Sequence, residues 1–295
     1  MRTSFRKLIE DSRPILLDGA MGTMLFSSGL ESGGAPELWN IEAPEKIKAV
    51  HEAYIGVGSQ LILTNTFGGT PMRLQMHGLD DRAEELNRAG AELAGRAAED
   101  ADRAVVVAGS IGPSGGILEP YGEMAYEQAV DSFRRQVDGL VQGGVDVLWI
   151  ETMSDLGEVR AAVEGARLVT DSTPLVATMT FDTHGRTMMG VTPEQALEEL
   201  SKLDLEALGA NCGNGTEEIE IVIGKMAELN PEKPLIAKAN AGIPHVENGV
   251  VVYDATPEIM GEYARKVFAL GASLIGGCCG STPDHLAEMK AALDQ

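Results

Sequence analysis

The chain reads as an α/β protein, and within that class as a (β/α)8 TIM barrel. Three observations lead there. Short apolar or β-branched runs alternate with longer amphipathic stretches along the whole length, the alternation that builds a parallel sheet covered by helices. The apolar runs are continuous rather than alternating in polarity, as strands buried on both faces must be. Eight such strand-then-helix units fit into 295 residues with no linker, low-complexity tract or internal repeat, a length that one closed barrel uses. A doubly wound open sheet is the competing arrangement, since it shares the alternation and differs only in strand order. The expected organisation is one barrel domain over residues 1–295.

Taken in order, the first run, Ile15-Leu16-Leu17, leads into Asp18-Gly19, and residues 61–63 lead into Thr64-Asn65-Thr66. Residues 104–108 end in Gly109-Ser110, and residues 145–150 end in Glu151-Thr152. Residues 175–179 reach Thr180-Phe181, and residues 205–210 reach Asn211-Cys212. Residues 235–239 reach Asn240, and residues 272–275 reach the glycine-fenced turn 276–280. Helical periodicity predicts helices over 44–57, 80–100, 124–143, 155–169, 193–202, 217–228, 257–270 and 283–293. Ser154-Asp155, Thr192-Pro193, Thr256-Pro257 and Thr282-Pro283 place a capping side chain beside the first turn of four of them. The glycines at 143–144 and 271 stand where helices close. The longest loops, 27–38, 111–123 and 243–256, all follow strands. In a barrel they build the C-terminal rim, where active sites lie.

Composition narrows the class of function. The net charge of -22 repels nucleic acid and anionic membrane surfaces alike. No stretch is long and apolar enough to span a bilayer. The basic start, residues 1–7, meets Glu10 and Asp11 before a signal-type apolar run develops. Three cysteines, an odd number in a long chain, fit a reducing compartment rather than a disulfide framework. The reading is cytoplasmic. Oligomeric state is not legible.

Asp18, Asn65, Ser110, Glu151, Asn211, Cys212, Asn240, Cys278 and Cys279 each fall at the downstream end of an expected strand. A barrel therefore collects them on one rim. Among them the thiols carry the most information. Two of the three cysteines are adjacent inside Gly-Gly-Cys-Cys-Gly, and Cys212 is followed by Gly213. Adjacent side chains in a strand point to opposite faces, so the glycines are needed to aim both sulfurs inward. A catalytic zinc takes three protein ligands and keeps a fourth position open. Three readings stay open on the residues alone: a three-sulfur zinc site, a vicinal redox pair, and inert buried cysteines.

Asp18 and Glu151 could hold a ligand ammonium group, or serve as an ordinary cap or ion pair. The turn Asp18-Gly19-Ala20-Met21-Gly22-Thr23 offers small residues whose N–H groups could approach a carboxylate. It is not a dinucleotide fingerprint, and no phosphate-binding loop occurs. The five histidines show no metal spacing. Met21, Met24, Met72 and Met76 are read as packing.

These motifs together resemble the homocysteine S-methyltransferase family, and within it the homocysteine-binding module of cobalamin-dependent methionine synthase. The residues that carry the likeness are the 18–23 turn, Thr64-Asn65-Thr66-Phe67, Gly109-Ser110-Ile111-Gly112-Pro113, Glu151-Thr152, Asn211-Cys212, Asn240-Ala241-Gly242 and Gly276-Gly277-Cys278-Cys279-Gly280. The resemblance implies a zinc-bearing barrel that methylates homocysteine to methionine. It makes Cys212, Cys278 and Cys279 the zinc ligands. It places Asp18 and Glu151 near the substrate amino group, and Gly19, Ala20, Met21 and Thr23 at its carboxylate. Asn65 and Ser110 join them as substrate contacts. Asn240 resembles a residue that approaches the metal when substrate is absent.

The resemblance further implies a methyl donor from outside the barrel. Methylcobalamin on a separate corrinoid protein is the first expectation. The alternatives are a small donor, S-methylmethionine or betaine-like, and a non-catalytic homologue that binds homocysteine or a corrinoid protein. A cationic donor favours an aromatic cage, for which the rim offers Trp39, Phe67 and Tyr121, in a chain only 4% aromatic.

Overall fold

A computed structural model describes residues 1–11, 14–247 and 250–295. The strands of the main sheet are β1 (Ile15–Leu16), β2 (Leu61–Leu63), β3 (Val106–Ile111), β4 (Val147–Met153), β5 (Leu175–Met179), β6 (Ala207–Cys212) and β7 (Leu235–Ala239). A hairpin of β8 (His245–Glu247) and β9 (Val250–Val252) follows, and β10 (Ala272–Gly277) completes the main sheet. The main sheet is parallel throughout, in the order β1-β10-β7-β6-β5-β4-β3-β2. Each strand therefore lies beside its neighbour in sequence, and the last returns to the first. A doubly wound sheet would reverse direction partway; this one closes as a (β/α)8 barrel.

The seam between β1 and β2 is held differently from the rest. Gln60 N–H donates to Leu16 O at 2.8 Å. One register step further, the Asp18 carboxylate accepts the Leu63 N–H at 2.7 Å. A side chain thus substitutes for a ladder partner where the strands are shortest.

The helices follow the expected units. They are α1 (Phe5–Asp11), α2 (Gly22–Ser27), α3 (Trp39–Glu42), α4 (Pro44–Gly56), α5 (Pro71–Leu74) and α6 (Ala83–Asp100), then α7 (Tyr126–Gln142), α8 (Leu156–Arg167), α9 (Pro193–Ser201), α10 (Thr216–Glu228), α11 (Pro257–Ala269) and α12 (Pro283–Leu293). The eight expected helices are all present within a few residues of their predicted bounds. Asp155, Thr192 and Thr256 cap as expected, accepting the N–H groups of Gly157, Gln195 and Ile259. At Thr282 the partner is instead the His285 ring, 2.8 Å from its hydroxyl.

Helices α1, α2, α3 and α5 and the β8–β9 hairpin were not anticipated. Helix α1 is too short to show periodicity, yet Phe5 and Leu8 are buried against the strand starts Ile15, Leu61, Val106 and Val147. It closes the N-terminal mouth of the barrel. Helix α2 converts the 18–23 turn into a helix start. The loop 243–256 contains the β8–β9 hairpin; its Asn248 and Gly249 lie outside the described residues. No described helix is long and apolar enough to cross a membrane.

Strand parity decides what fills the barrel. Val106, Ala108, Val147, Trp149, Val176, Ala207, Ile236 and Leu274 belong to the inner cluster, while Leu148, Ile150, Leu208, Ala237 and Ile275 pack outward against the helices. Side chains two apart share a face. Two residues beyond that apolar layer come Ser110, Glu151, Thr178 and Lys238, with Gly276 beside them, and Asn211 joins them two residues beyond Gly209, which pairs with Ile236. The barrel interior therefore changes from hydrocarbon to a polar layer at its C-terminal end.

Candidate metal and acceptor site

Above that layer the three cysteines meet. The Cys212 sulfur lies 3.1 Å from that of Cys278 and 3.9 Å from that of Cys279. All three sulfurs fall within 4.8 Å of one another. Cys212 ends β6 in a left-handed conformation, φ 65°, which swings its side chain out of strand alternation. Beyond β10 the chain turns at once. Cys278 N–H still donates to Ala239 O at 2.7 Å, as a ladder extension, whereas Cys279 N–H donates to Asn240 Oδ1 at 3.0 Å. Gly280 then adopts φ 79°, and a β-carbon there would stand 2.2 Å from the Tyr253 ring. Only glycine fits that corner.

Asn240 completes the clamp. Its amide donates to Gly213 O at 2.7 Å while its oxygen holds Cys279 N–H, so one side chain ties the two cysteine-bearing turns together. Asn211 works one level lower. It accepts from Thr152 N–H at 2.8 Å and Thr178 Oγ1 at 2.7 Å, and donates to Thr152 Oγ1 at 2.7 Å.

The thiols are free and partly accessible rather than sealed in the core. Hydrogen bonding to Cys278 and Cys279, together with burial, pushes the Cys212 thiol well above its ordinary range. Three thiolates this close repel each other unless a cation sits among them. Among the described residues this is the one cluster of metal-ligating groups. Sulfurs on a tetrahedral zinc stand about 3.8 Å apart, from Zn–S bonds of about 2.3 Å. The 3.9 Å pair meets that spacing, and the 3.1 Å pair need only open slightly. The donor set fits a thiophilic metal.

The cysteines form one wall of a cavity of about 530 Å³. Asp18, Gly19, Ala20, Met21, Thr23, Asn65, Ser110 and Glu151 all line it, whereas Asn240 stands behind the wall as the clamp. Glu151 is buried, and Ser110 Oγ donates to its Oε1. Burial pushes its carboxyl up to about 7, partly opposed by Lys238. Asp18 is also buried and raised by burial, against the pull of Lys238.

Lys238 was not anticipated. Its Nζ lies 2.9 Å from Asp18 Oδ1, with both side chains buried. Burial opposes the charge on Lys238, but Asp18 and then Glu151 more than offset it and hold the ammonium above its usual range. The one sequence signal was a lysine inside the apolar run Leu235-Ile236-Ala237-Lys238-Ala239. Ala20 N–H is engaged too, donating to Ser281 Oγ at 3.1 Å. The Met21, Gly22 and Thr23 amides at the start of α2 are the ones left for an anion. Asn65 braces the loops, donating to Pro36 O at 2.8 Å and to Asn40 Oδ1 at 3.0 Å.

Aromatic rings line the cavity as well. Phe67 lines it as expected, joined by Phe26 and Tyr253, while Trp39 and Tyr121 do not. Trp39 instead carries the Lys46 ammonium 4.3 Å over its ring, and Tyr121 faces solvent. Met21, Met24 and Met72 pack on the core as expected; Met76 is 70% exposed at the cavity mouth.

Fold and site together define a barrel whose three clustered cysteines, fit to hold a metal, face a chamber lined by carboxylates. A profile of the homocysteine S-methyltransferase family matches residues 15–293, and the chain belongs to that family. Methionine synthase of Mycobacterium leprae is 31% identical over 297 aligned residues, covering 95% of this chain and 24% of that protein. Methionine synthase of Mycobacterium tuberculosis is likewise 31% identical, over 95% of this chain and 25% of that protein. The chain thus spans about a quarter of the length of these relatives. Among solved structures, the metallated form of the homocysteine methyltransferase MmuM from Escherichia coli superposes with a TM-score of 0.80 at 27% identity. That match covers 97% of this chain and 98% of the other. A methyltransferase from Methanosarcina mazei, at 11% identity and a TM-score of 0.61, shares the fold.

Proposed function

We propose that this protein, acting as one barrel domain over residues 1–295, transfers a methyl group to the sulfur of homocysteine to give methionine. The observation that carries this is the three-sulfur cluster opening into a buried chamber that also presents Glu151. Family membership supports it. We assign Cys212, Cys278 and Cys279 as zinc ligands; bound zinc would keep the acceptor sulfur deprotonated at neutral pH. The chain's own residues do the rest. Glu151 takes the acceptor ammonium, and Ser110 orients that carboxylate. The Met21, Gly22 and Thr23 amides face the carboxylate end. Asn240 and Asn211 hold the cysteine turns rigid, so the acceptor sulfur is presented in a fixed direction for in-line displacement at a methyl carbon.

For the donor we favour a methyl group on a separate corrinoid protein, in a cytoplasmic setting that keeps the thiols reduced. Likeness to methionine synthase supports this, as do exposed apolar residues around the rim, Phe26, Phe67, Met76, Ile117 and Tyr121. A small sulfonium or betaine-like donor is the second reading. The aromatic rings of Phe26, Phe67 and Tyr253 along the cavity favour it.

The test is methionine formation by the purified zinc-loaded protein against four donors: methylcobalamin, methyltetrahydrofolate with a corrinoid protein, S-methylmethionine and betaine. Turnover with either corrinoid donor supports the first reading. Turnover with a small cationic donor alone selects the second. Binding of homocysteine with no product from any donor would identify a non-catalytic homologue.

A further inference from the structure

Lys238 is the one lysine or arginine among the buried polar residues described, at 2% exposure. Strand parity aims it into the barrel, directly above Ile236. Room is made for it by Gly276, where a β-carbon would lie 2.7 Å from Leu17 Cβ, 2.8 Å from Asp18 O and 3.4 Å from Lys238 Cγ. An isolated ammonium in such a place is costly to desolvate and persists only when paired. Its partner is Asp18 Oδ1 at 2.9 Å. The other Asp18 oxygen accepts Leu63 N–H at 2.7 Å, across the β1–β2 seam. Both oxygens of Asp18 are therefore engaged by the fold. Glu151, on the same cavity, spends one oxygen on Ser110.

We propose that Lys238 is a positioning residue that commits Asp18 to the barrel seam and so leaves Glu151 as the carboxylate that receives the acceptor's ammonium group. The proposal deepens the homocysteine reading above and rests on it. A tethered ammonium competes for Asp18 at an effective concentration far above that of a free ligand. Two carboxylates and one lysine leave one net negative charge, which one ligand ammonium neutralises. The arrangement thus selects a monocationic head group and fixes which side of the chamber it occupies.

A double-mutant cycle read by calorimetric titration of L-homocysteine into the zinc-loaded protein tests this. In the unmutated background, Glu151→Gln weakens binding at least about tenfold. In the Lys238→Gln background, Asp18 is released to take the ammonium, and Glu151→Gln costs less than about threefold. Lys238→Arg, which keeps the ion pair, restores the large cost. Equal costs in the lysine and glutamine backgrounds would overturn the proposal, because a purely structural lysine leaves the two positions additive. Carboxyl carbon resonances of the unmutated protein give the answer without substitution: homocysteine shifts the Glu151 signal and leaves that of Asp18 in place. Movement of Asp18 instead of Glu151 overturns the assignment, even if the glutamine variants do not fold. Absence of homocysteine binding by the unmutated protein refutes the acceptor reading itself, a separate outcome.

Discussion

At the scale of residues, the chemistry depends on controlling charge among closely packed, largely buried groups. Cys212, Cys278 and Cys279, with their sulfurs within 4.8 Å of one another, cannot all ionise without a cation. Purified protein is therefore expected to carry about one metal ion per chain, in the three-ligand form of catalytic zinc, and Cys278→Ala to lose it, as elemental analysis would show. A fully active, metal-free protein refutes the assignment. Glu151 supplies a second test, this time in pH. Its carboxyl is raised by burial to about 7 from an ordinary 4.5. The folded state then binds a proton more tightly than the unfolded chain, so this group lowers stability as pH rises from about 4.5 to about 7. The ionised form costs roughly 3 kcal/mol in the metal-free, ligand-free protein. Urea midpoints measured at pH 5 and pH 8 should fall less with pH in Glu151→Gln than in the parent. An identical fall in both would show that Glu151 titrates normally. Acceptor binding runs the other way, strengthening as pH rises through about 7, because the ammonium needs the ionised carboxylate.

At the scale of elements, two devices position the site and one protects the core beneath it. The corner at Gly280 lets β10 deliver adjacent sulfurs to one point, and Tyr253 fills the space that a side chain there would need. Gly280→Ala is expected to displace either Tyr253 or Cys279, lowering zinc affinity at least tenfold while leaving the far-ultraviolet dichroism spectrum unchanged; competition with a chromogenic chelator reads this out. The clamp by Asn240 acts between turns rather than within one, so Asn240→Ala should weaken metal retention too. Helix α1 is the contrasting case. Phe5 is fully buried in the barrel's inner cluster, far down the lumen from the sulfurs. Phe5→Ala should cost about 3 kcal/mol of stability, in the range for deleting a buried aromatic ring, with zinc content unaltered. A loss of zinc in folded Phe5→Ala would show that the two ends of the barrel are coupled.

At the scale of the whole molecule, the parallel ladder closes through every strand except at the seam, where Asp18 reaches across to β2. A metal that binds the folded state alone adds stability through mass action, about 2.7 kcal/mol at a hundredfold excess over its dissociation constant. Removing it with a chelator should lower the melting temperature by several degrees, and restoring zinc should recover it. An unchanged melting curve would mean that the cysteine turns are indifferent to the ion. The charge of -22 acts at this scale as well. It disfavours acidic partners, so a corrinoid protein that docks on the apolar rim is expected to do so with weak salt dependence, measurable as a nearly constant affinity between low and high ionic strength.

What the sequence determined by itself was the periodicity. Continuous apolar runs, helical stretches, capping residues and glycine-fenced cysteines are local properties, written within a few residues of where they act. They were enough for eight strands, eight helices, the barrel and the rim on which Cys212, Cys278, Cys279, Ser110 and Glu151 stand. Tertiary structure alone decided which groups face each other. Asp18 stayed open between a ligand contact and an ion pair, because Lys238, 220 residues away, and Leu63, 45 residues away, bear no local sign of meeting it. Asn240 was read as a residue near the metal, and its place as a clamp between two turns was not legible, because its partners Gly213 and Cys279 come from two other strand ends. Trp39 and Tyr121 lay on rim loops but turned to Lys46 and to solvent. Hydrophobic pattern records which side of an element is buried; the pairing of polar groups depends on closure of the barrel, which brings distant strand ends together in an order that no single stretch contains.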